Sequence, residues 1–481
     1  MEKIKINEYT WEIPKGAKQG MKVPARLIAS KELLTNLDEG VIEQITNVAC
    51  LPGIKRYALC MPDGHRGYGF PIGGVAAFST RTGVISPGGI GFDINCGVRL
   101  IRTNLTEDEV KPKLNALIDL LFKLVPSGVG ASGFLSLNRS EFDQMTAQGM
   151  PWASKKGYAW NSDLEFTEQG GVIPGANPDS VSEKAKKRGQ DQIGTLGSGN
   201  HYLEIQKVDF DDDCDRSAAQ IMGLNKSGQI TIMIHCGSRG FGHQIGTDYL
   251  QSFGAAMAKY GIHTNDRELA CAPFDSPEGK AYYGAMACAA NAAFVNRQVI
   301  MHRVREGFSK IFGKSAEDLG MHLVYDVAHN IAKIEHYDTG QGTEELLVHR
   351  KGATRAFGPG NPDLPAKYRS IGQPVLVGGS MQTGSYLLIG TEQARSTTFG
   401  STLHGAGRVM SRAAATRKAR GQQVRDEMAR QGITVRAASM KGLAEEAGFA
   451  YKDVNHVVSV VHNLGISKKV AHMIPLANIK G

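Results

Sequence analysis

Two side chains that bind metals well lie three residues apart in a glycine-rich loop. Asp93 offers a hard oxygen ligand and Cys96 a soft sulfur ligand, within the sequence SPGGIGFDINCGVR at residues 86–99. Glycines are expected where the backbone takes unusual φ/ψ angles or approaches a ligand closely. The apolar run at 98–103 predicts a strand that holds this loop in place. The pair therefore predicts half of a metal site, whose other ligands come from elsewhere in the chain.

Three histidines in similar settings are candidates for the missing ligands. His201, His235 and His329 each lie at or just beyond the end of an apolar run that predicts a strand. Any one of them alone is better explained as a structural histidine, but five metal-binding residues in like settings favour a shared site. Three imidazoles, one thiolate and one carboxylate exceed the ligands of a single four-coordinate zinc and suit two metals bridged by the thiolate. Ligand softness alone ranks zinc first, and manganese or iron second.

Several glycine-rich loops predict the binding of oxyanions, because their backbone N–H groups can surround phosphate oxygens. Four such loops lie at residues 197–200, 237–240, 378–380 and 405–408. Two of them carry an arginine, Arg239 and Arg408, whose guanidinium can bind two phosphate oxygens at once. The chain has no GxxxxGK[ST] and no GxGxxG motif. Four loops of this kind in one chain favour a phosphate-rich ligand.

His404 differs from the other histidines, since it stands between glycines with Arg408 four residues later. An unprotonated imidazole nitrogen is a good nucleophile toward phosphorus. A nearby arginine would stabilise the charge that develops there. The alternative is a histidine that caps a helix or packs in the core. A further loop at residues 61–74 carries Asp63 between two predicted strands, a setting typical of functional loops.

Composition excludes several classes of protein. The chain has 481 residues, of which 41% are hydrophobic, and this argues against disorder. A net charge of +8 weakly favours a polyanionic partner. Seven cysteines without a CxxC pair indicate reduced thiols in a cytoplasmic protein. The first residues lack a signal-peptide core, and the longest uncharged run, 371–391, is broken by polar residues and proline, so no membrane association is expected.

Strands that end in glycine-rich, histidine-bearing loops recur along the chain and predict one large fold of the α/β or α+β class. The loops are expected to converge on a single metal-containing cleft. We expect short helical pieces in residues 1–50, a helix from the N-cap Thr106 to about 125, a second helix at 277–312 and a basic helix at about 408–431. Residues 126–190 are hard to assign, and an inserted subregion there stays open.

The order of these motifs resembles that of the RtcB-type RNA ligases. The resemblance runs from about residue 10 to residue 481. Besides the sequence at 86–99, it is carried by MPDGH (61–65), GFPIGG (69–74), GSGNH (197–201), HCGSRG (235–240), DVAHN (326–330), HRKGATR (349–355) and HGAGR (404–408). Two departures are Leu403, where many members have cysteine, and Arg66, where others have a different residue. Neither is a proposed ligand or nucleophile.

The resemblance implies a single RtcB-type ligase domain over residues 1–481 that depends on GTP and manganese. Such an enzyme joins an RNA 3′-phosphate or 2′,3′-cyclic phosphate end to a 5′-hydroxyl end, in tRNA splicing or RNA repair. His404 would take GMP from GTP and pass it to the RNA 3′-phosphate, and the 5′-hydroxyl would then expel GMP from the activated RNA-3′-pp-5′-G end. The implied partners are RNA ends, such as tRNA halves, and archease. A cytoplasmic monomer is expected.

The resemblance also assigns metal ligands by position. Two Mn²⁺ ions would be held by Asp93, Cys96, His201, His235 and His329, with Cys96 shared. This metal differs from the zinc that softness favours. We follow the resemblance, because open coordination positions for phosphate oxygens suit Mn²⁺.

Further residues receive substrate roles from the same resemblance. Contacts with GTP are expected from Asn200, Glu204, Asn330, Ser380, Ser385, Tyr451 and Lys480. Asp63 would act near the 5′-hydroxyl, and Arg239 would bind phosphate. Arg412, on the predicted basic helix, is the expected RNA contact.

Two other functions remain open at this point. A non-catalytic scaffold or chaperone that binds metal and RNA would bind RNA without forming a covalent nucleotide adduct. A metal-dependent phosphoesterase acting on cyclic phosphates would need neither His404 nor GTP. The intact HGAGR sequence beside a complete set of metal ligands argues against both.

Overall fold

Two large β-sheets form the framework of the protein in the computed structural model, which describes residues 1–338 and 342–481. The strands, in chain order, are β1 (Ile4–Asn7), β2 (Thr10–Ile13), β3 (Ala25–Ile28), β4 (Ile54–His65), β5 (Ile72–Ser79), β6 (Val84–Ile85), β7 (Gly97–Thr106), β8 (Tyr202–Asp209), β9 (Gln229–Cys236), β10 (Ala272–Pro273), β11 (His322–Ala328), β12 (Asn330–Asp338), β13 (Thr343–Lys351), β14 (Ala353–Arg355), β15 (Pro374–Val377), β16 (Ser385–Gly390), β17 (Ser401–Leu403), β18 (Thr434–Ala437) and β19 (Ser467–Lys480).

The strands pair mainly in the antiparallel sense, and helices cover the sheets. The first sheet has the order β1-β2-β3-β4-β5-β13-β12. The second has the order β11-β7-β9-β8-β19-β16-β15, with β18 also paired to β19. Only β3 with β4 and β18 with β19 are parallel among the strand pairs of the described residues. The class is therefore α+β, as predicted.

The helices lie between and around the sheets. They are α1 (Lys31–Thr35), α2 (Glu39–Val48), α3 (Glu107–Val110), α4 (Leu114–Leu124), α5 (Arg139–Gln148), α6 (Met150–Lys155), α7 (Asn161–Glu165), α8 (Glu183–Gly189), α9 (Arg216–Met222), α10 (Arg239–Tyr260), α11 (Pro277–Phe312), α12 (Glu392–Thr398), α13 (Arg412–Lys418), α14 (Gly421–Arg430), α15 (Met440–Glu445) and α16 (Val454–Leu464). Within the described ranges, no helix is both long enough and apolar enough to cross a bilayer.

The helix α11 runs through the middle of the core. It has 36 residues, and the bounds predicted from the sequence are confirmed. A helix of this length is about 54 Å long. Its alanine-rich first half packs with α5, α10 and β12, and its second half packs with α4, β7 and β9. The helix therefore packs into two hydrophobic clusters, one around each of its halves, and it supports the second sheet.

Residues 126–190 form short helices that pack onto α11 and α10. Phe142, Met150 and Trp152 are buried in the same hydrophobic cluster as the first half of α11. The segment thus shares its core with the rest of the fold and has no separate core.

Three local predictions need correction. Residues 1–50 contain strands β1, β2 and β3 besides the expected helical pieces, since such short, partly exposed strands give little apolar alternation. Strand β4 extends to His65, so the loop that follows is shorter than predicted. The basic helix begins at Arg412 and is broken into α13 and α14. Ala419 is extended there, and Gly421 packs so tightly that an added Cβ would lie 1.9 Å from the carbonyl oxygen of Met440.

Two other sequence predictions are confirmed. Thr106 caps α3 in a capping box with Glu109, although a 3₁₀ turn at residues 111–113 separates α3 from α4. The seven cysteines are all free, and six of them are buried.

Candidate active site

Adjacent strands of the second sheet bring the predicted metal ligands to one edge. Strand β7 begins where β9 and β11 end, because Gly97 lies opposite Cys236 and Ala328. Strand β8 begins beside the end of β9, with Tyr202 opposite His235. The ligands predicted at these strand ends are Cys96, His201, His235 and His329. Antiparallel pairing therefore gathers side chains that are far apart in the sequence.

One candidate metal-binding group consists of Cys96, His235 and His329. The Sγ atom of Cys96 lies 3.2 Å from Nε2 of His235, which lies 3.3 Å from Nε2 of His329. Two ligands of one tetrahedral metal at ordinary bond lengths are about 3.5 Å apart. The three side chains are buried and their donor atoms converge, so the group fits a metal ion.

A second candidate group shares Cys96 and adds Asp93 and His201. Nε2 of His201 lies 2.8 Å from Oδ2 of Asp93 and 3.3 Å from the thiol sulfur. Nδ1 of His201 is 3.0 Å from the carbonyl oxygen of Leu196, to which it donates. That hydrogen bond leaves Nε2 as the ligand nitrogen, a common arrangement at metal sites. The structure thus brings all five predicted ligands together around a common thiol.

Electrostatics favour the neutral, metal-binding form of two of the candidate ligands. Burial, and then the neighbouring imidazoles, hold the pKa values of His235 and His329 well below the ordinary histidine range, so both rings are neutral. Burial and the charge of Asp93 raise the pKa of the Cys96 thiol to about 11. A metal ion bound there would have to displace the thiol proton, which makes its binding dependent on pH.

His404 lies beside the metal groups and is held by Asp63. Its Nδ1 is 2.6 Å from Oδ2 of Asp63, and its ring centre is 4.8 Å from that of His329. Since an ionised carboxylate can only accept, Nδ1 carries a proton, and in the neutral form of the ring Nε2 is the nitrogen with the lone pair. Burial raises the pKa of Asp63, but the charge and hydrogen bonds of His404 outweigh it and keep that pKa below the ordinary value. The arrangement produces an oriented nucleophilic nitrogen.

A cleft of about 1220 Å³ opens in front of these residues. It exceeds the usual volume of a pocket for one small molecule. The predicted residues on its wall are Asp93, Cys96, Asn200, His235, His329, Asn330, Ser380, His404, Arg408, Arg412, Tyr451 and Lys480. The loops converge on one cleft, as predicted. Asp63, His201, Glu204, Ser385 and Arg239 lie behind that wall and are not part of it.

Comparison with known proteins decides the family. A family model described as "tRNA-splicing ligase RtcB" matches residues 44–481. The chain belongs to the RtcB family. Curated relatives named "tRNA-splicing ligase RtcB" are similar over nearly their whole length. The chain is 54% identical to that of Pyrobaculum aerophilum over 480 residues, covering 99% of each chain. It is also 54% identical to the Thermococcus kodakarensis protein over 478 residues, covering 99% of this chain and 98% of the relative.

The wall of this RtcB-family cleft also carries Glu446, which the sequence does not predict as a site residue. Glu446 is almost fully buried and accepts from Nη1 of Arg408 at 3.3 Å and Nε of Arg412 at 3.0 Å. It also accepts from the hydroxyl of Tyr451. The burial raises its pKa, but Lys480 and Arg412 outweigh this, and the carboxylate stays ionised. Glu446 directly follows α15 and is one of two adjacent glutamates, so no sequence pattern distinguishes it.

The expected nucleotide contacts of the RtcB-type site divide into two groups. Ser380 and Asn330 face the cleft, where Asn330 also accepts from the Gly352 N–H at 2.8 Å. Glu204 and Ser385 are instead buried behind it, both within reach of Gln206. Burial raises the pKa of Glu204 to about 7, although Gln206 and Lys480 oppose the rise.

The guanidinium groups of the two arginines predicted to bind phosphate, Arg239 and Arg408, contact other protein side chains. Arg239 has a left-handed backbone, with φ of 57°, and its Nε donates to Oγ1 of Thr195 at 3.3 Å. Its Nη1 lies 3.3 Å from Nδ1 of His201, so the guanidinium packs behind a metal ligand. Arg408 lies on the cleft wall, but its guanidinium is held by Glu446 and Tyr451. Their predicted roles toward phosphate stay predictions.

Proposed function

We propose that this chain is an RNA ligase that joins RNA 3′-phosphate or 2′,3′-cyclic phosphate ends to 5′-hydroxyl ends, using GTP and two Mn²⁺ ions. The observation that carries the proposal is the 2.6 Å hydrogen bond between His404 and Asp63 in a cleft that also holds both candidate metal groups. The names of the relatives support tRNA splicing as the process, and RNA repair uses the same chemistry.

In the first step, Nε2 of His404 attacks the α-phosphorus of GTP. The new bond joins nitrogen to phosphorus, and the bond from the α-phosphorus to the bridging oxygen breaks, so pyrophosphate leaves. Asp63 keeps the proton on Nδ1 and stabilises the positive charge that the ring acquires. The product is a guanylylated histidine.

In the second step, an oxygen of the RNA 3′-phosphate attacks the same phosphorus and the phosphorus–nitrogen bond breaks. This gives the RNA-3′-pp-5′-G end and restores His404. The 5′-hydroxyl oxygen of the second RNA then attacks the 3′-phosphorus, and the bond from that phosphorus to the bridging oxygen breaks, so GMP leaves. The hydroxyl proton passes to water, and a phosphodiester forms. A 2′,3′-cyclic phosphate is first opened by water in the same cleft, to give a 3′-phosphate.

Residues of the cleft supply binding and orientation for these steps. Bound Mn²⁺ would neutralise charge on the phosphate oxygens that face it. Asp93, Cys96, His201, His235 and His329 fit this role, because their donor atoms converge and two of the imidazoles are neutral. Asn200, Asn330, Ser380, Tyr451 and Lys480 line the cleft where the nucleotide would lie. Glu204 and Ser385 would complete that site from behind the wall.

Partners and location follow from the same proposal. RNA ends such as tRNA halves are the substrates, and Arg412 at the mouth of the cleft is the proposed RNA contact. Archease is the proposed activating partner. The free cysteines support a cytoplasmic location, because disulfides are rare there.

The deciding experiment incubates the protein with α-labelled GTP and Mn²⁺, followed by a denaturing gel and mass spectrometry. We expect an acid-labile GMP adduct on His404 that is lost in His404→Ala. His336→Ala is the matched control and should retain the adduct, since His336 is an exposed histidine of β12. A metal-loaded protein that forms no adduct, with or without archease, contradicts the proposal and favours a phosphoesterase or a scaffold.

A further inference from the structure

One fully buried arginine behind the metal groups uses all of its hydrogen-bond donors. Arg297 lies on α11 and is not on the wall of the cleft. Nη1 donates to the carbonyl oxygens of Asn95 and Cys236, each at 2.8 Å. Nη2 donates to Oδ1 of Asn95 at 3.1 Å and Oδ1 of Asp326 at 2.7 Å, and Nε donates to Oδ2 of Asp326 at 2.9 Å. The five donors of a guanidinium are therefore all satisfied.

Each acceptor of Arg297 lies next to a segment that carries a candidate metal ligand. Asn95 directly precedes Cys96, and Cys236 directly follows His235. Asp326 lies on β11, three residues before His329. A single rigid side chain thus joins the three segments that supply one candidate metal group.

The backbone around this contact is specialised to receive the guanidinium. Asn95 adopts a positive φ of 52°, which asparagine tolerates better than most residues. A Cβ added to Gly97 would lie 3.1 Å from the Arg297 guanidinium and 2.5 Å from the carbonyl oxygen of Val327. The guanidinium therefore fits tightly against the start of β7.

We infer that Arg297 is a positioning residue of the metal centre. It fixes the spacing of Cys96, His235 and His329 through the backbone carbonyls of Asn95 and Cys236 and the carboxylate of Asp326. Residues that orient ligands from behind commonly change metal affinity by about 10- to 100-fold when they are altered. Lysine cannot replace this function, since a single ammonium lacks the planar fork that reaches three segments at once. The inference rests on the proposed metal site.

The chain provides a matched control in Arg99, which is equally buried and contacts the same carboxylate. Its Nε donates to Oδ2 of Asp326 at 2.7 Å. Its Nη1 lies near Gln298 and 3.5 Å from the sulfur of Met301. Arg99 donates to neither Asn95 nor Cys236 among the hydrogen bonds of the described residues. Changing it should therefore perturb the buried ion pair without releasing the ligand segments.

The test compares Co²⁺ binding by the full-length wild type, Arg297→Lys and Arg99→Lys. Co²⁺ reports thiolate ligation through its sulfur-to-metal absorption band. We expect at least about tenfold weaker Co²⁺ binding and an altered band for Arg297→Lys, with Arg99→Lys within twofold of the wild type. Thermal unfolding of each apo variant shows whether the two substitutions disturb the fold equally.

The inference is overturned if Arg297→Lys binds Co²⁺ with the affinity and spectrum of the wild type. It is also overturned if Arg297→Lys and Arg99→Lys lose Co²⁺ affinity equally. If Arg297→Lys does not fold, Asn95→Gly replaces it. Glycine adopts a positive φ readily but lacks the Oδ1 acceptor. An unchanged Co²⁺ spectrum and affinity in Asn95→Gly would then count against the role of Arg297. A wild type that binds no Co²⁺ would instead refute the proposed metal site itself.

Discussion

A single carboxylate oxygen of Asp63 binds both the ring and the backbone of His404. Oδ2 accepts from Nδ1 at 2.6 Å and from the backbone N–H at 3.1 Å. It also lies 3.3 Å from the backbone nitrogen of Gly405. This placement gives Asp63 a role in orienting His404, the proposed nucleophile. The role of Asp63 near the 5′-hydroxyl of the RNA stays a prediction. The side chain is fully buried and does not line the cleft.

Replacing the carboxylate should therefore reduce histidine guanylylation. In Asp63→Asn, the side-chain amide would donate to Nδ1 of His404. The imidazole proton would then lie on Nε2, so that nitrogen would have no lone pair for attack on phosphorus. We expect the rate of GMP–protein formation to fall on the order of 10³-fold, measured with α-labelled GTP. Asp38→Asn is the control, because Asp38 also lines the cleft but contacts no histidine nitrogen in the described residues. A full-rate Asp63→Asn enzyme would contradict the role.

The shared thiol predicts unequal losses of metal among ligand variants. Cys96 belongs to both candidate groups, whereas His329 belongs to one and His201 to the other. We expect His201→Ala and His329→Ala each to weaken one of two sites, and Cys96→Ala to weaken both. Equilibrium dialysis with Mn²⁺, followed by metal analysis, gives the stoichiometry. Retention of two tightly bound ions by Cys96→Ala would exclude a bridging thiol.

Zinc is expected to inhibit guanylylation. By the general order of divalent metal affinities, a site made of the Cys96 thiolate and the three imidazoles would bind Zn²⁺ more tightly than Mn²⁺. Zinc also favours four-coordinate geometry, which leaves fewer positions for phosphate oxygens. The measurement is the rate of GMP adduct formation at fixed Mn²⁺ with added Zn²⁺. A rate that does not change at saturating Zn²⁺ contradicts this expectation.

Substitution of Arg412 should disturb more than RNA binding, because Arg412 forms an ion pair on the cleft wall. Arg412 donates to the buried Glu446, which also holds Arg408 and Tyr451. Charge reversal at Arg412 is therefore expected to impair both RNA binding and guanylylation. Arg417→Glu is the cleaner probe, because Arg417 is exposed on α13.

We expect Arg417→Glu to weaken RNA binding and reduce its salt dependence, with the guanylylation rate unchanged. Filter binding over a range of salt concentrations measures the slope. Unchanged RNA affinity in Arg417→Glu would place the RNA elsewhere than along α13.

A buried ion cluster near β11 should control stability in acid. Oε1 of Glu168 lies 2.8 Å from Nζ of Lys333 and 2.9 Å from Nε of Arg355. Burial raises the pKa of Glu168, but the two cations outweigh it and lower the pKa to about 2. Between about pH 4.3, the ordinary pKa of glutamate, and about pH 2, the unfolded chain therefore binds more protons than the folded chain. Stability falls as the pH falls through this window.

Glu168→Gln removes this titration. Its free energy of unfolding should be lower than that of the wild type at pH 5, and the difference should shrink by about 3 kcal/mol toward pH 2. Urea unfolding at several pH values measures it. Glu165→Gln, at an exposed position of α7, should keep the acid dependence of the wild type. Parallel pH profiles for the wild type and Glu168→Gln would contradict the assignment.

The predicted metal ligands could be found from the sequence because each is marked by its residue type and by a neighbouring strand or glycine-rich loop. Asp93 and Cys96 occur in one loop, and the histidines follow recognisable strands. Long elements with strong patterns, such as α11, were also predicted with correct bounds. By contrast, the partner of His404 could not be found by spacing, since Asp63 lies 341 residues away in the chain.

Other features depend on tertiary contacts that leave no local trace. Glu446 is one of two adjacent glutamates in the sequence LAEEAGFA (443–450), and only the fold turns it toward Arg408 and Tyr451. The break between α13 and α14 arises where Gly421 packs against the Met440 backbone. Arg297 lies in a helix whose sequence gives no sign that its guanidinium reaches the loop before β7 and the strands β9 and β11.

The position of β19 has a consequence for synthesis of the chain on the ribosome. This strand lies between β8 and β16 in the second sheet, yet it is translated after both. Until residues 467–480 emerge, β8 is paired only with β9 and β16 only with β15, so each presents an open edge, which promotes misassociation of nascent chains. The His404 segment is made before that gap is filled. A ribosome that pauses in α16 would thus hold a nascent chain whose second sheet is unfinished and whose cleft still lacks Lys480.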